Sequence, residues 1–135
     1  MKYLVDVNVL SEPTKPVSVQ RVAEWLNANR DDTVVDAVVM AGIWRGVDAL
    51  PDSRRKELLT VWFHELKATL PCLDWTPATA LVWGPLVNQV KRAGFTIDIR
   101  DTMIAASAKL HGLTVATRNV DDFTRCGVPV VNPFV

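Results

Sequence analysis

Short apolar runs bounded by polar residues alternate along the chain with longer stretches whose apolar positions recur at helical spacing. "KYLVDV" at 2–7, "TVVD" at 33–36, "PCLDW" at 71–75, "LTVAT" at 113–117 and "VPVVN" at 128–132 read as strands. The loop "SEPTKP" follows the first of these, and then comes an amphipathic segment, "VSVQRVAEWLNANR", with Val22, Trp25 and Leu26 on one face. A helix is predicted from the end of "TVVD" to about Leu50, broken by Pro51, Asp52 and Ser53. Ser53 or Asp52 can cap the next helix, "RRKELLTVWFHELKATL". Thr76 and Pro77 mark another helix start, because proline suits a first turn. "DTMIAASAKLHG" is a further helix, closed by Gly112. Strands alternating with helices predict an α/β fold: a three-layer α/β/α domain with a four- or five-stranded parallel sheet. No internal repeat or composition break divides residues 1–135, so one domain is expected.

Composition narrows the picture. A chain of 135 residues, 49% of them hydrophobic, can bury one real core. Fifteen basic residues balance fifteen acidic ones, which removes broad electrostatic attraction to nucleic acid or anionic membrane and leaves only a local basic patch. The two cysteines, Cys72 and Cys126, lack metal-type spacing and make no disulfide framework, so a reducing, cytoplasmic setting is expected. "MKYLVDVNVL" is interrupted by Asp6 and Asn8 and reads neither as a signal peptide nor as a membrane span.

In folds of this class, ligands gather beyond the carboxyl ends of parallel strands. Asp6, Asp36 and Asp74 close the first three strands, and "TRNVDDF" at 117–123 follows the fourth. Asp101 opens the helix "DTMIAASA", where it can cap and also face the same crevice. Carboxylates without histidine or cysteine suit a hard cation such as Mg2+ or Mn2+ rather than zinc.

"YLVDVNVLSE", "RGV" at 45–47, "DTMIAASAKLHGLTVATRNVDDF" and the ending "GVPVVNPF" together resemble the PIN-domain ribonucleases, specifically the VapC and FitB-like toxins of bacterial toxin–antitoxin pairs. The resemblance covers nearly the whole chain and is most specific in its C-terminal third. It implies a metal-dependent endoribonuclease acting on RNA, neutralised by an antitoxin protein and forming a homodimer. It also implies a catalytic and metal-binding set of Asp6, Asp101 and Asp122, with Asn119 between the last two. The family pattern Asp-Thr-Asn reads "DVN" here: Val7 replaces the threonine and Asn8 is kept. The family's glutamate, four residues before a glycine, is expected at position 42, ahead of Gly46. Position 42 is a glycine.

Glycine inside a helix costs roughly 0.5 to 1 kcal/mol against alanine. Gly42 is therefore either a packing glycine against the sheet or the place of a lost acidic ligand. Asp36, at the end of the second strand, is a possible replacement ligand or an N-cap for the helix containing Gly42. Asn8 and Arg118 are candidate substrate contacts, and Arg45 and Arg100 also flank the region, while Asp98 and Asp121 read as surface residues. Trp44, Trp62 and Trp83 offer more aromatic surface than a small core uses, which a two-fold dimer or an antitoxin groove would take up.

Three functions are open on these residues: a Mg2+-dependent ribonuclease toxin, an inactive PIN domain that serves as an antitoxin-binding module, and an unrelated Mg2+-binding α/β domain. No glycine-rich phosphate loop supports the last, and its receiver-like version needs a lysine beyond the last strand, where there is none.

Overall fold

The computed structural model describes residues 1–135. Five parallel strands form one sheet: β1 (Tyr3–Val5), β2 (Thr33–Asp36), β3 (Cys72–Leu73), β4 (Thr114–Ala116) and β5 (Val130–Val131), in the order β3-β2-β1-β4-β5. The five runs seen in the sequence are these strands: "TVVD" is β2 whole, and the other four are trimmed to their hydrogen-bonded centres. Leu4 faces Val34 on one side and Val115 on the other, and all three are buried. Leu4 and Val5, which point to opposite faces, are both fully buried, as a parallel sheet covered on both sides requires.

Seven α-helices connect the strands: α1 (Val7–Ser11), α2 (Gln20–Ala28), α3 (Ala37–Asp48), α4 (Arg54–Thr69), α5 (Pro77–Arg92), α6 (Ile99–His111) and α7 (Val120–Arg125). The chain steps from β1 to β2 to β3 in one direction, then crosses back to β4 and β5 on the other side. Right-handed crossovers place α1 to α4 on one face and α5 to α7 on the other. The reversal falls between β1 and β4, and the crevice beyond their carboxyl ends is where such folds bind ligands.

Local chemistry sets the boundaries. Ser53 accepts a hydrogen bond from the Lys56 amide at 3.1 Å and starts α4, while Thr76 and Thr79 form a reciprocal capping box ahead of Pro77 in α5. Gly112 ends α6 with φ +66°, a left-handed conformation that glycine adopts without strain. Helix α5 runs through Pro85, which lies on its exposed side and so forfeits one backbone bond where water can replace it. Val22 of α2 is buried, with Trp25 and Leu26 packed beside it, as the amphipathic pattern predicts.

Among the boundaries that differ from the sequence reading, where "SEPTKP" also begins inside α1 and turns through a 3-10 helix at Glu12–Thr14, two bear on the cleft. Helix α1 begins directly after Asp6, so the first strand stops at Val5; the Asp6 carboxylate accepts the Val7 amide at 2.8 Å and turns the chain. Helix α6 starts at Ile99 and not at Asp101, because Asp98 supplies the cap, accepting the Arg100 amide at 2.9 Å. Asp101 is released from capping and sits in the first helical turn. The alanines 105, 106 and 108 that follow are fully buried, letting α6 lie close against the sheet.

Candidate functional site

The carboxyl ends of β1 and β4 carry Asp6 and Thr117, the residues immediately after each strand. Asp6 is only 5% exposed and is held on all sides: Thr117 Oγ1 donates to its Oδ2 at 2.7 Å, Asn8 Nδ2 donates to the same oxygen at 3.2 Å, and the Val7 amide occupies Oδ1. Asn8 in turn accepts the Arg118 amide at 3.1 Å. The segment after β4 is thereby stitched to the segment after β1.

Asn119 extends the network. Its side-chain amide donates to Asp101 Oδ2 at 2.9 Å and to Asp122 Oδ2 at 3.0 Å, joining α6 to α7. Asp6, Asn8, Asp101 and Asn119 line a common cleft of about 390 Å3, together with Val7, Ser11, Val38, Gly42, Arg100 and Ile104. Burial and the nearby charges of Asp6, Asp98 and Asp122 push the Asp101 carboxyl up to about 6, against an ordinary 3.8, while the Asn119 bond works the other way. The Asp6 carboxyl is also raised, chiefly by burial. Arg100, the cation on the cleft wall, makes its ion pair with Asp98, which its Nε meets at 3.2 Å, and its charge offsets only part of the carboxylates' charge.

Each residue singled out in the sequence has a definite place. Asp6, Asp101, Asn8 and Asn119 come together in the cleft. Asp122 stands behind Asn119, tied to Arg125 at 3.9 Å as well. Asp36 is 0% exposed and turned into the interior: Val39 N donates to Oδ1 at 2.8 Å and Ser107 Oγ donates to Oδ2 at 2.7 Å. Its oxygens are bonded as those of Asp6 are, but Asp36 does not line the cleft, and it acts as the cap of α3. Arg118 turns its guanidinium away, onto the Phe134 ring at 3.8 Å and the buried Glu12 carboxylate at 3.6 Å. Asp74 and Asp121 are exposed and outside the cleft. Gly42 lies on the cleft wall, where an added Cβ would stand 3.1 Å from Val7 Cγ2.

Of the three tryptophans, Trp62 and Trp83 are half-buried, Trp83 with its indole N–H on Thr102 Oγ1 at 3.0 Å. Trp44 stays 39% exposed against Phe63. Thr117 and Ser107, which clamp the two buried aspartates, were not singled out in the sequence. Their signal was faint: each is one small hydroxyl residue in an otherwise apolar buried run.

The donors in the cleft are hard oxygens without sulfur or imidazole, which fits Mg2+ or Mn2+ in kind. They are few. No three Asp, Glu, His or Cys side chains stand close enough to hold an ion by themselves. Two carboxylates plus waters and a substrate phosphate satisfy Mg2+, which keeps much of its water shell, so the residues present fit a weakly held ion. No helix is long and apolar enough to cross a membrane.

Known proteins share this architecture. The chain is 34% identical to Toxin FitB of Neisseria gonorrhoeae and 30% identical to a VapC ribonuclease of Sinorhizobium fredii, with at least 96% of each chain covered in both comparisons. Its fold superposes on the structure of FitAB bound to a DNA fragment with a TM-score of 0.93 at 31% identity, covering 98% of this chain and 96% of that one. The crystal structure of FitAcB from Neisseria gonorrhoeae follows at 0.89 and 32%, covering 98% of both chains. The family description "PIN domain" matches residues 3–128, a span that contains every strand but the last and the whole of the acidic cleft, and the chain belongs to the PIN domain family.

Proposed function

We propose that this protein is the toxin of a toxin–antitoxin pair and cleaves RNA at the cleft between β1 and β4, using Mg2+ or Mn2+. The observation that carries the reading is the Asp6–Asp101 pair, two carboxylates facing one cleft, with the Asp101 carboxyl pushed up to about 6 by burial and its acidic neighbours. Relatives named as a toxin and as a ribonuclease supply the reaction class, and solved structures of FitAB and FitAcB supply the expectation of an antitoxin partner.

Asp6 and Asp101 would hold the ion, with Asn119 linking Asp101 to Asp122. A bound divalent cation lowers the pKa of a water and stabilises charge on a phosphodiester. The rest falls to the protein. Thr117 and Asn8 fix Asp6 in one orientation, and Asn119 does the same for Asp101. Arg100, exposed at the cleft wall, is placed to meet a phosphate. The protein acts as a homodimer on this reading, with Trp44 as part of the joined surface.

Cleavage of single-stranded RNA in Mg2+ and in EDTA, by the native chain and by Asp101→Asn, tests the reading. Slow cleavage that disappears in EDTA and in Asp101→Asn supports it. Absence of cleavage at every Mg2+ concentration, with Mn2+ binding also undetectable by paramagnetic resonance, overturns the nuclease and leaves an antitoxin-binding module.

A further inference from the structure

Glu12 is a buried charge outside the cleft. It follows α1 directly and is only 3% exposed, and its Oε2 is buried without a hydrogen-bond partner. The other oxygen, Oε1, meets two cations at long range: Lys15 Nζ at 3.4 Å and an Arg118 guanidinium nitrogen at 3.6 Å. Taking a carboxylate out of water is expensive, and an apolar side chain of similar volume often serves stability as well or better. The use of this charge lies in what it holds.

It holds Arg118, the residue between Thr117 and Asn119. Thr117 Oγ1 orients Asp6, and the Asn119 side-chain amide orients Asp101. The Arg118 amide sits on Asn8 Oδ1, in the first turn of α1, while its guanidinium reaches Glu12, just past the last turn of the same helix. The guanidinium also lies 3.8 Å from the centroid of the Phe134 ring, and Phe134 is itself packed against the core. The segment after β4 is therefore gripped from both ends of α1. An ion pair with both partners in water would do little here, but burial of the Glu12 carboxylate spares this one much of the screening. Glu12 does not line the cleft, so any effect it has there passes through this segment.

We propose that Glu12 is a positioning residue of the acidic cleft: its carboxylate anchors Arg118 and so fixes the 117–119 segment, whose side chains aim Asp6 and Asp101 at a divalent cation. The proposal rests on the reading of that cleft as a metal-dependent, RNA-cleaving site.

The test measures Mn2+ binding by paramagnetic resonance, and the side-chain amide resonances of Asn8 and Asn119 in metal-free protein. Glu12→Gln keeps the shape of the side chain and removes its charge. Arg118→Met breaks the clamp from its outer end, at a side chain 52% exposed, and serves if Glu12→Gln fails to fold. Lys15→Met removes the other cation on Glu12. Glu12→Gln and Arg118→Met are each expected to weaken Mn2+ binding by about tenfold, the low end for residues that hold metal ligands in place, and to move both amide resonances. The double variant is expected to lose no more than either single one, because both cut the same link. Lys15→Met is expected to match the native chain. Native Mn2+ affinity in Glu12→Gln and Arg118→Met overturns the proposal. So do additive losses in the double variant, or a loss in Lys15→Met as large as that in Arg118→Met, which would assign the effect to the balance of buried charge and not to the clamp. Absence of Mn2+ binding in the native chain would overturn the nuclease reading instead. The amide resonances then decide the clamp alone: moved by Glu12→Gln, they support it, and unmoved, they overturn it.

Discussion

Asp6 and Asp36 occupy equivalent places at the ends of neighbouring parallel strands, and the fold uses them differently. Each is buried, each caps the helix that follows, and each has a carboxyl raised chiefly by desolvation. The difference lies across the sheet. Asp6 stands at the topological reversal, where Thr117 and Asn8 hold it without closing it off, and it faces an open cleft. Asp36 lies one strand further out, bonded to Ser107 of α6, fully buried and outside that cleft. Position relative to the reversal, rather than residue type or strand-end placement, separates a carboxylate available to a ligand from one committed to structure.

Replacing each of the two aspartates by asparagine gives the largest expected contrast. Asp6→Asn is expected to lower Mg2+-dependent RNA cleavage by about a hundredfold or more, and Asp36→Asn to leave it within about threefold, because only the first removes charge from the cleft. Steady-state cleavage rates check it; comparable losses in both would erase the distinction. Next in size is Ser107→Ala, which strands Asp36 Oδ2 in the interior. A cost of about 1 to 3 kcal/mol is expected in urea unfolding, with Mn2+ binding unaltered.

Gly42→Glu sharpens the comparison from the cleft side. Returning a carboxylate is expected to tighten Mn2+ binding by about tenfold, read by paramagnetic resonance, while Val7 shifts slightly to admit the new Cβ. Unchanged affinity would mean that Gly42 is a packing glycine only. The smallest effect is in pH. Asp101 ionises at 3.8 unfolded and near 6 folded, so its contribution to stability is full below 3.8 and is lost as pH rises through 6. Asp101→Asn is therefore expected to gain stability relative to the native chain over that interval, and added Mg2+ to raise the native chain's stability only above it.

Much of this was legible in the sequence. Alternation of apolar runs with amphipathic stretches gave the five strands in place, because a covered parallel sheet demands continuous apolar segments. Asp6 and Asp101 stood out through strand-end placement and family resemblance. What stayed hidden depends on contacts distant in sequence. Asp98 and Asp101 are both able to cap one helix, and only the packed fold decides that Asp98 does so. Thr117 and Ser107 look ordinary until the crossover brings each against an aspartate.

The bond from Thr117 to Asp6 spans 111 positions, and the central strand meets its second neighbour only through β4, in the last part of the chain. During synthesis, which runs from the N-terminus at roughly 5 to 20 residues per second, β1 and β2 can form early while the edge awaiting β4 stays bare. Asp6 has no Thr117 to orient it until translation has passed β4. A ribosome-bound chain halted at Gly112 thus presents the first carboxylate with Val7 and Asn8 but without Thr117, and lacks Asn119 beside the second, so the activity proposed for the folded domain is withheld from its own nascent form.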